Sequence, residues 1–160
     1  MPGGTRAILE PWRNTYAQLV THFGWPAFAG DWPDLEVTAY LQGRPLDLLA
    51  TMLARGLNAP PSSSCGRLFD AVAGALGIAR DGISYEGQAA IELEALIDTD
   101  PARVAGYPFA VDDGGALPVL DAAPMWLALL ADLRAAIPPG LIAARFHAGL
   151  ADAVAGLAIR

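Results

Sequence analysis

Residues 62–77 read SSSCGRLFDAVAGALG, and this stretch predicts the helix on which the fold depends. Apolar residues recur on one face of it at Leu68, Val72 and Leu76, which is the spacing of a helix that packs on a core. The preceding serines can accept hydrogen bonds from the free N–H groups of the first turn, and Gly77 is a typical helix end. The sequence therefore predicts a helix over about residues 65–76.

The opposite face of this predicted helix carries two glycines, Gly66 and Gly74. We call it the bare face, because no side chain covers the backbone at these two positions. A glycine inside a helix costs about 1 kcal/mol relative to alanine, and the usual reason for one is close approach of another backbone or of a ligand. Asp70 follows Gly66 by four residues, so its carboxylate can lie over the bare position and accept two hydrogen bonds from a vicinal diol such as a ribose. The adjacent helix N-terminus favours an anionic group. The alternative is tight helix packing, with Asp70 solvated or capping.

A second candidate block, Tyr85-Glu86-Gly87-Gln88, opens the next predicted helix. In the functional interpretation Gly87 lets a tight turn approach a ligand, and Gln88 contacts that ligand with its amide. The alternative is an ordinary helix start, where the helix dipole favours Glu86. Arg67 is a further candidate: it could hold a phosphate or a carboxylate, or it could form a salt bridge with a neighbouring acid.

Composition excludes several classes of protein. The chain has 160 residues, of which 54% are hydrophobic and 17% charged, and this balance excludes disorder. The net charge of −7 and the absence of lysine argue against non-specific nucleic-acid binding. No apolar stretch approaches the ~18 residues of a membrane span, so we expect no membrane association. The single cysteine fits a reducing cytoplasm, and neither a metal site nor a catalytic group is predicted within the chain.

The chain as a whole predicts a mainly α fold with a small β-hairpin, in a single unit over residues 1–160. Two short apolar runs flank Asp112-Asp113-Gly114-Gly115, a pattern typical of a hairpin. Glycines and prolines at 24–34 indicate a loop there. Helices are predicted at about 6–22, 45–55, 65–76, 86–97, 124–137 and 141–157.

Blocks spread along nearly the whole chain resemble, in order, the hydrogenase maturation carbamoyltransferase family HypF. They are PGG at 2–4 with EPWR at 10–13, SSCGRLFDAVA at 63–73, ISYEGQAAIELE at 83–94, and IAARFH at 142–147 with GLA at 149–151. The resemblance implies that this chain is the helical portion, and thus a fragment, of a domain similar to the Kae1/TsaD proteins, an ASKHA-type ATP-binding α/β architecture.

The resemblance also implies a nucleotide site. Residues 66–70 resemble the Kae1 segment Gly-x-x-Phe-Asp, whose glycine and aspartate contact the nucleotide, and residues 85–88 resemble its Tyr-Pro-Gly-Gly turn. By this resemblance Asp70 would hold the ribose hydroxyls, while Gly66 and Gly87 would leave room for the nucleotide. Arg67, Tyr85 and Gln88 would belong to the same site.

The implied reaction starts from carbamoyl phosphate and ATP and forms a carbamoyl-adenylate. The carbamoyl group then passes to the C-terminal cysteine of HypE and becomes a cyanide ligand of the [NiFe]-hydrogenase iron. We expect this chain to supply one wall of the nucleotide site and to be inactive alone. Its partners would be a HypE-like acceptor and the other segments of the enzyme, which would hold a divalent metal. Two alternatives are a carbamoyltransferase for another acceptor, such as a tRNA base or a small-molecule hydroxyl, and a non-catalytic helical interaction module.

Overall fold

The computed structural model describes residues 1–159, which form a mainly helical structure with one small antiparallel sheet, as predicted. The helices are α1 (Arg6–Leu9), α2 (Trp12–Phe23), α3 (Trp25–Asp31), α4 (Glu36–Gln42), α5 (Leu46–Arg55), α6 (Cys65–Ala75), α7 (Gln88–Ala95), α8 (Ala123–Arg134) and α9 (Pro139–Ala158). A short 3-10 helix (Pro101–Arg103) precedes strands β1 (Ala110–Asp112) and β2 (Val119–Asp121), which pair with Val111 opposite Leu120.

The described residues cluster into two compact units, of which the first is Met1–Leu93 and the second begins at Glu94. Each unit has fully buried side chains of its own. In the first unit the largest are Tyr16, Leu19, Phe28, Leu41, Leu49 and Leu93. In the second they are Met125, Trp126, Leu129, Leu130, Ile142 and Phe146. The single unit expected over residues 1–160 stays a prediction.

The first predicted helix is broken into α1 and α2 by Pro11. Proline has no N–H to donate, and its ring disfavours helical geometry at the residue before it. Glu10 accordingly has φ −122° and ψ 83°, outside the helical region. The break lets the chain change direction before α2 begins at Trp12. The N–H of Trp12 donates to the carbonyl of Arg80 at 3.2 Å.

The prediction of a loop over residues 24–34 is wrong, because helix α3 occupies most of this segment. Pro26 lies in the first turn of α3, where a proline removes no helical hydrogen bond. Phe28 is fully buried and its ring centroid lies 5.7 Å from that of Trp25. Burial of these aromatic rings therefore outweighs the local turn signals.

The remaining predicted elements are confirmed within a few residues, but the predicted serine cap is wrong. Gly56 ends α5 with a φ of +64°, and Asp112 accepts a hydrogen bond from the Gly114 N–H at 2.9 Å in the hairpin loop. Ser64 stands at the N-cap of α6, yet its side chain accepts no hydrogen bond from the helix. The first turn of α6 therefore carries no side-chain cap from Ser64.

Helix α9 is the one helix of residues 1–159 that is long and apolar enough, by length and composition, to cross a membrane. About a third of its apolar window is buried inside the protein, with Ile142, Phe146 and Leu150 on the buried face. A core helix meets the same two criteria, so they do not by themselves identify a membrane span. The expected lack of membrane association stays a prediction.

Candidate functional site

The bare face of α6 packs on α2 at Gly74. A Cβ atom there would overlap the Thr15 hydroxyl and lie 3.5 Å from the Pro11 carbonyl group. Thr15 is buried and donates a hydrogen bond from its hydroxyl to the carbonyl of Ala71 at 2.9 Å. Gly74 is therefore explained by helix packing, which was one of the two alternatives for the bare face.

Gly66 lies on the same face but has no such neighbour. A Cβ atom there would meet only the Ser64 hydroxyl, at 3.5 Å, which is an ordinary van der Waals distance. Its φ lies outside the range that favours glycine. Neither the backbone conformation nor the packing of the described residues therefore requires a glycine here, and the space beside this Cα is open.

Asp70 lies between the two glycines and is buried, with 3% of the residue exposed, so it is not the solvated or capping group of the packing alternative. Its Oδ2 atom lies 3.0 Å from Nη1 of Arg67, one turn earlier on the helix. Neither atom makes a hydrogen bond of acceptable geometry. Burial raises the pKa of Asp70 to about 6, while the Arg67 charge lowers it. At neutral pH the site thus contains a buried carboxylate with an unused acceptor.

Residues 85–88 form the tight turn that leads into α7. The N–H of Gln88 donates to the carbonyl of Tyr85 at 3.3 Å, and Gly87 has a φ of +80° at the third position of the turn. The Gly87 carbonyl accepts from the N–H of Ile91 at 3.0 Å and so begins the helix. Because glycine adopts a positive φ at no steric cost, the turn itself is sufficient to explain Gly87.

The side chains of this turn differ in their freedom to contact a ligand. Tyr85 is half exposed. The amide of Gln88 is held locally, because its Oε1 accepts from the Ser84 N–H at 2.6 Å and its Nε2 donates to Glu92 at 2.7 Å. Gln88 therefore braces the turn, and a contact with a ligand would require one of these two bonds to open.

The six predicted site residues lie in the first unit, where they form two local groups. Gly66, Arg67 and Asp70 share the N-terminal half of α6, and Tyr85, Gly87 and Gln88 share the turn before α7. Arg67 and Asp70 are the pair in direct side-chain contact.

A further polar cluster in the second unit was missed by the sequence analysis. The Tyr107 hydroxyl donates to Asp132 at 2.6 Å, and the same carboxylate pairs with Arg145 at 2.5 Å. Burial and the Asp132 charge raise the pKa of Tyr107. The cluster lines an open cleft of about 480 Å³. Because its members lie on a loop and two different helices, no local spacing in the sequence signals it.

Within residues 1–159, no three histidine, cysteine, aspartate or glutamate side chains cluster in a way that could hold a metal ion.

Comparison with known proteins agrees with this fold. Residues 1–160 match the family model HypF_C_2, described as the carbamoyltransferase Kae1-like domain, second subdomain. The chain is 43% identical to a carbamoyltransferase HypF of Rhodobacter capsulatus over 99% of its own length and 19% of that protein. It is 37% identical to a carbamoyltransferase HypF of Rhizobium leguminosarum bv. viciae, covering 20% of that protein.

A solved structure gives the same result. It is full-length HypF in a phosphate- and nucleotide-bound form, which superimposes with a TM-score of 0.82 at 26% identity over 99% of this chain and 19% of that one. The fold is therefore that of a Kae1-like carbamoyltransferase domain. The chain belongs to the HypF carbamoyltransferase family, within the second subdomain of its Kae1-like domain, and it spans about a fifth of the length of these relatives.

Proposed function

We propose that this chain supplies one wall of the nucleotide site of a HypF-type carbamoyltransferase. In the proposed reaction, carbamoyl phosphate and ATP yield a carbamoyl-adenylate, from which the carbamoyl group passes to the C-terminal cysteine of a HypE-like acceptor for [NiFe]-hydrogenase maturation. The observation that carries the proposal is the buried Asp70 carboxylate beside the open position at Gly66.

The chemistry of this wall suits a ribose. Adjacent hydroxyl groups are hydrogen-bond donors, and an ionised carboxylate is an acceptor with two oxygens. A buried acceptor without a partner is costly, so a ligand that donates to it gains more than it would at a solvated site. Gly66 leaves space for a ligand to approach the helix backbone, and the first amides of α6 favour an anionic group.

The six residues divide by role in this proposal. Asp70 accepts from the ribose hydroxyls, and Gly66 and Gly87 allow the nucleotide to come close to the backbone. Tyr85 offers an exposed ring beside the turn that Gln88 braces. Arg67 lies beside the Asp70 carboxylate, at 3.0 Å.

The remaining parts of the reaction are assigned to other segments of the enzyme. We propose that those segments hold a divalent metal and complete the phosphate site, and that a chain of residues 1–160 alone is inactive. The proposed setting is the cytoplasm, without a nucleic-acid or membrane partner.

Calorimetric titration of the 160-residue chain with ATP and with 2′,3′-dideoxy-ATP tests the proposal, after circular dichroism has shown a folded state. A hydrogen bond to a charged group contributes about 1.5–3 kcal/mol, so loss of the diol contacts corresponds to a decrease in affinity of at least about tenfold. We therefore expect wild type to prefer ATP, and Asp70→Asn to bind both nucleotides with the same, weaker affinity. Asp152→Asn, the same change at an exposed position of α9, is the matched control.

Equal binding of both nucleotides by wild type would contradict the role of Asp70. A well-folded chain that binds neither would instead favour the non-catalytic helical interaction module. The acceptor can be tested in the complete enzyme with labelled carbamoyl phosphate. Transfer of the label to a tRNA base or to a small-molecule hydroxyl would contradict the proposed HypE-like acceptor.

A further inference from the structure

The contact between Arg67 and Asp70 has features that a solvated ion pair lacks. The Arg67 side chain is 18% exposed and that of Asp70 only 4%, and the two atoms at 3.0 Å are not aligned as a hydrogen bond. Arg67 lies three residues before Asp70, so both side chains lie on the same side of α6. The guanidinium is therefore fixed beside the carboxylate by the helix, and its charge is poorly screened by solvent.

We propose that Arg67 is a positioning residue of the nucleotide site, which keeps the Asp70 carboxylate charged and oriented to accept the ribose hydroxyls and does not itself bind the phosphates. This inference rests on the proposed function, because it assigns Arg67 a role toward the same ligand. It differs from the direct contact that the family resemblance implies for Arg67.

The physical reason is the cost of a buried charge. Burial favours the neutral acid, and a protonated carboxyl group has one O–H committed as a donor and accepts more weakly from the hydroxyls of a diol than a carboxylate does. Asp70 is only 3% exposed, so this cost applies to its carboxylate. Its pKa of about 6 lies close to neutrality. A cation held at 3.0 Å opposes protonation of the carboxylate.

Other charged groups do not replace Arg67. Helix α2, which packs on α6, carries the titratable residues Arg13, Tyr16 and His22. Arg13 is paired with Glu10 at 2.5 Å, and burial together with the Asp47 charge raises the pKa of Tyr16, which keeps it neutral. Among the described residues, Arg67 is the charge that shifts the Asp70 equilibrium toward the carboxylate.

Nucleotide affinity should consequently follow the ionisation of Asp70. With a pKa of about 6, the ionised fraction falls about tenfold between about pH 7 and pH 5. Removal of the Arg67 charge should move this transition to higher pH. Affinity would then be weaker near neutrality and recover at higher pH, where the carboxyl group ionises without its partner. A lost phosphate contact would show no such recovery.

The first test is binding of adenosine and ATP to Arg67→Met across this pH range. We expect the same fold-loss for both ligands near neutrality, recovered as the pH is raised further. Arg67→Lys, which keeps the positive charge, should retain the wild-type profile. A loss confined to ATP, or a loss that is constant with pH, would overturn the proposal in favour of a phosphate contact.

The second test is the titration of the Asp70 side-chain carboxyl by carbon-13 NMR, which needs no nucleotide. The midpoint should rise in Arg67→Met and stay near the wild-type value in Arg67→Lys. The control variant is Arg103→Met. Arg103 also pairs with an aspartate three residues away, Asp100, at 3.5 Å, but this pair is exposed. This control should leave the Asp70 midpoint unchanged.

The two tests separate the possible failures. An Asp70 midpoint that does not move in Arg67→Met overturns the positioning role even if ATP binds. If the Asp70 midpoint rises in Arg67→Met but the wild-type chain binds no nucleotide, the proposed function is overturned. The role of Arg67 toward a ligand is then overturned with it.

Discussion

The two ends of α6 carry the same sequence feature in different surroundings. Gly66 and Gly74 are eight residues apart on one helix face, and each carries the same intrinsic penalty. At Gly74 the partner is part of this chain, because α2 approaches so closely that a methyl group would overlap Thr15. At Gly66 no described residue approaches closely, and the space beside the backbone is open.

In the proposed function, this one helix serves both packing and binding. The end at Gly74 is held against α2 by the Thr15–Ala71 hydrogen bond. That hydrogen bond holds the helix at the residue that follows Asp70, so the carboxylate is presented from a rigid element. The end at Gly66 leaves room for a ligand, and Asp70 lies between the two ends.

The largest expected effect concerns Asp70. Its pKa is about 6 when folded and about 3.9 in an unfolded chain, so the unfolded state loses its proton first as pH rises. The stabilisation is therefore present below about pH 4 and is lost as pH rises through about 6. Relative to Asp70→Asn, wild type should lose on the order of 2 kcal/mol of unfolding free energy between these values, measured by urea denaturation. A difference that does not change with pH would contradict the buried, shifted carboxyl group.

The next effect should separate the two glycines. Gly74→Ala introduces a methyl group at the Thr15 hydroxyl, and overpacking of this kind costs about 1–3 kcal/mol against about 1 kcal/mol gained in helix propensity. We expect a net loss of up to about 2 kcal/mol in urea denaturation. In the double variant Gly74→Ala with Thr15→Ala the two losses should be less than additive, because the second change removes the overlapping group. Strict additivity would show that the contact with α2 is not the reason for this glycine.

The smallest effect on stability is expected at Gly66. Gly66→Ala meets no close neighbour, so the unfolding free energy should stay within about 0.5 kcal/mol of wild type or rise slightly. Calorimetry should nevertheless show weaker ATP binding, because the methyl group occupies the space proposed for the ligand. Unchanged ATP affinity would place the nucleotide away from this end of α6, and a large loss of stability would remove the contrast with Gly74.

Gly87 is, with Gly66, one of the two glycines that the sequence predicts at the nucleotide site. Its positive φ is sufficient to explain the glycine, since the Tyr85–Gln88 turn demands that conformation whether or not a ligand is present. Of the three glycines considered, Gly66 is therefore the one whose presence neither packing nor backbone geometry explains.

Much of the fold could be predicted from local patterns. The helices on either side of the hairpin, the hairpin itself and α5 to α7 follow from apolar periodicity and from turn residues such as Gly56. Residues 24–34 could not be predicted in this way. The burial of Phe28 against other aromatic rings decides that α3 is helical, and such burial depends on residues distant in sequence.

The candidate site divides in the same way. The sequence by itself determined that Gly66, Asp70 and Gly74 share one face of a helix, because that follows from 3.6 residues per turn. It also offered a tight turn at Gly87, as one of two interpretations of residues 85–88.

Only the tertiary structure decided which glycine packs on α2, that Asp70 is buried, and that Gln88 is held by Ser84 and Glu92. It alone brought Tyr107, Asp132 and Arg145 into one cluster. The physical reason is that periodicity fixes which residues lie on the same face of an element, whereas burial and desolvation are set by whatever the chain places against that face.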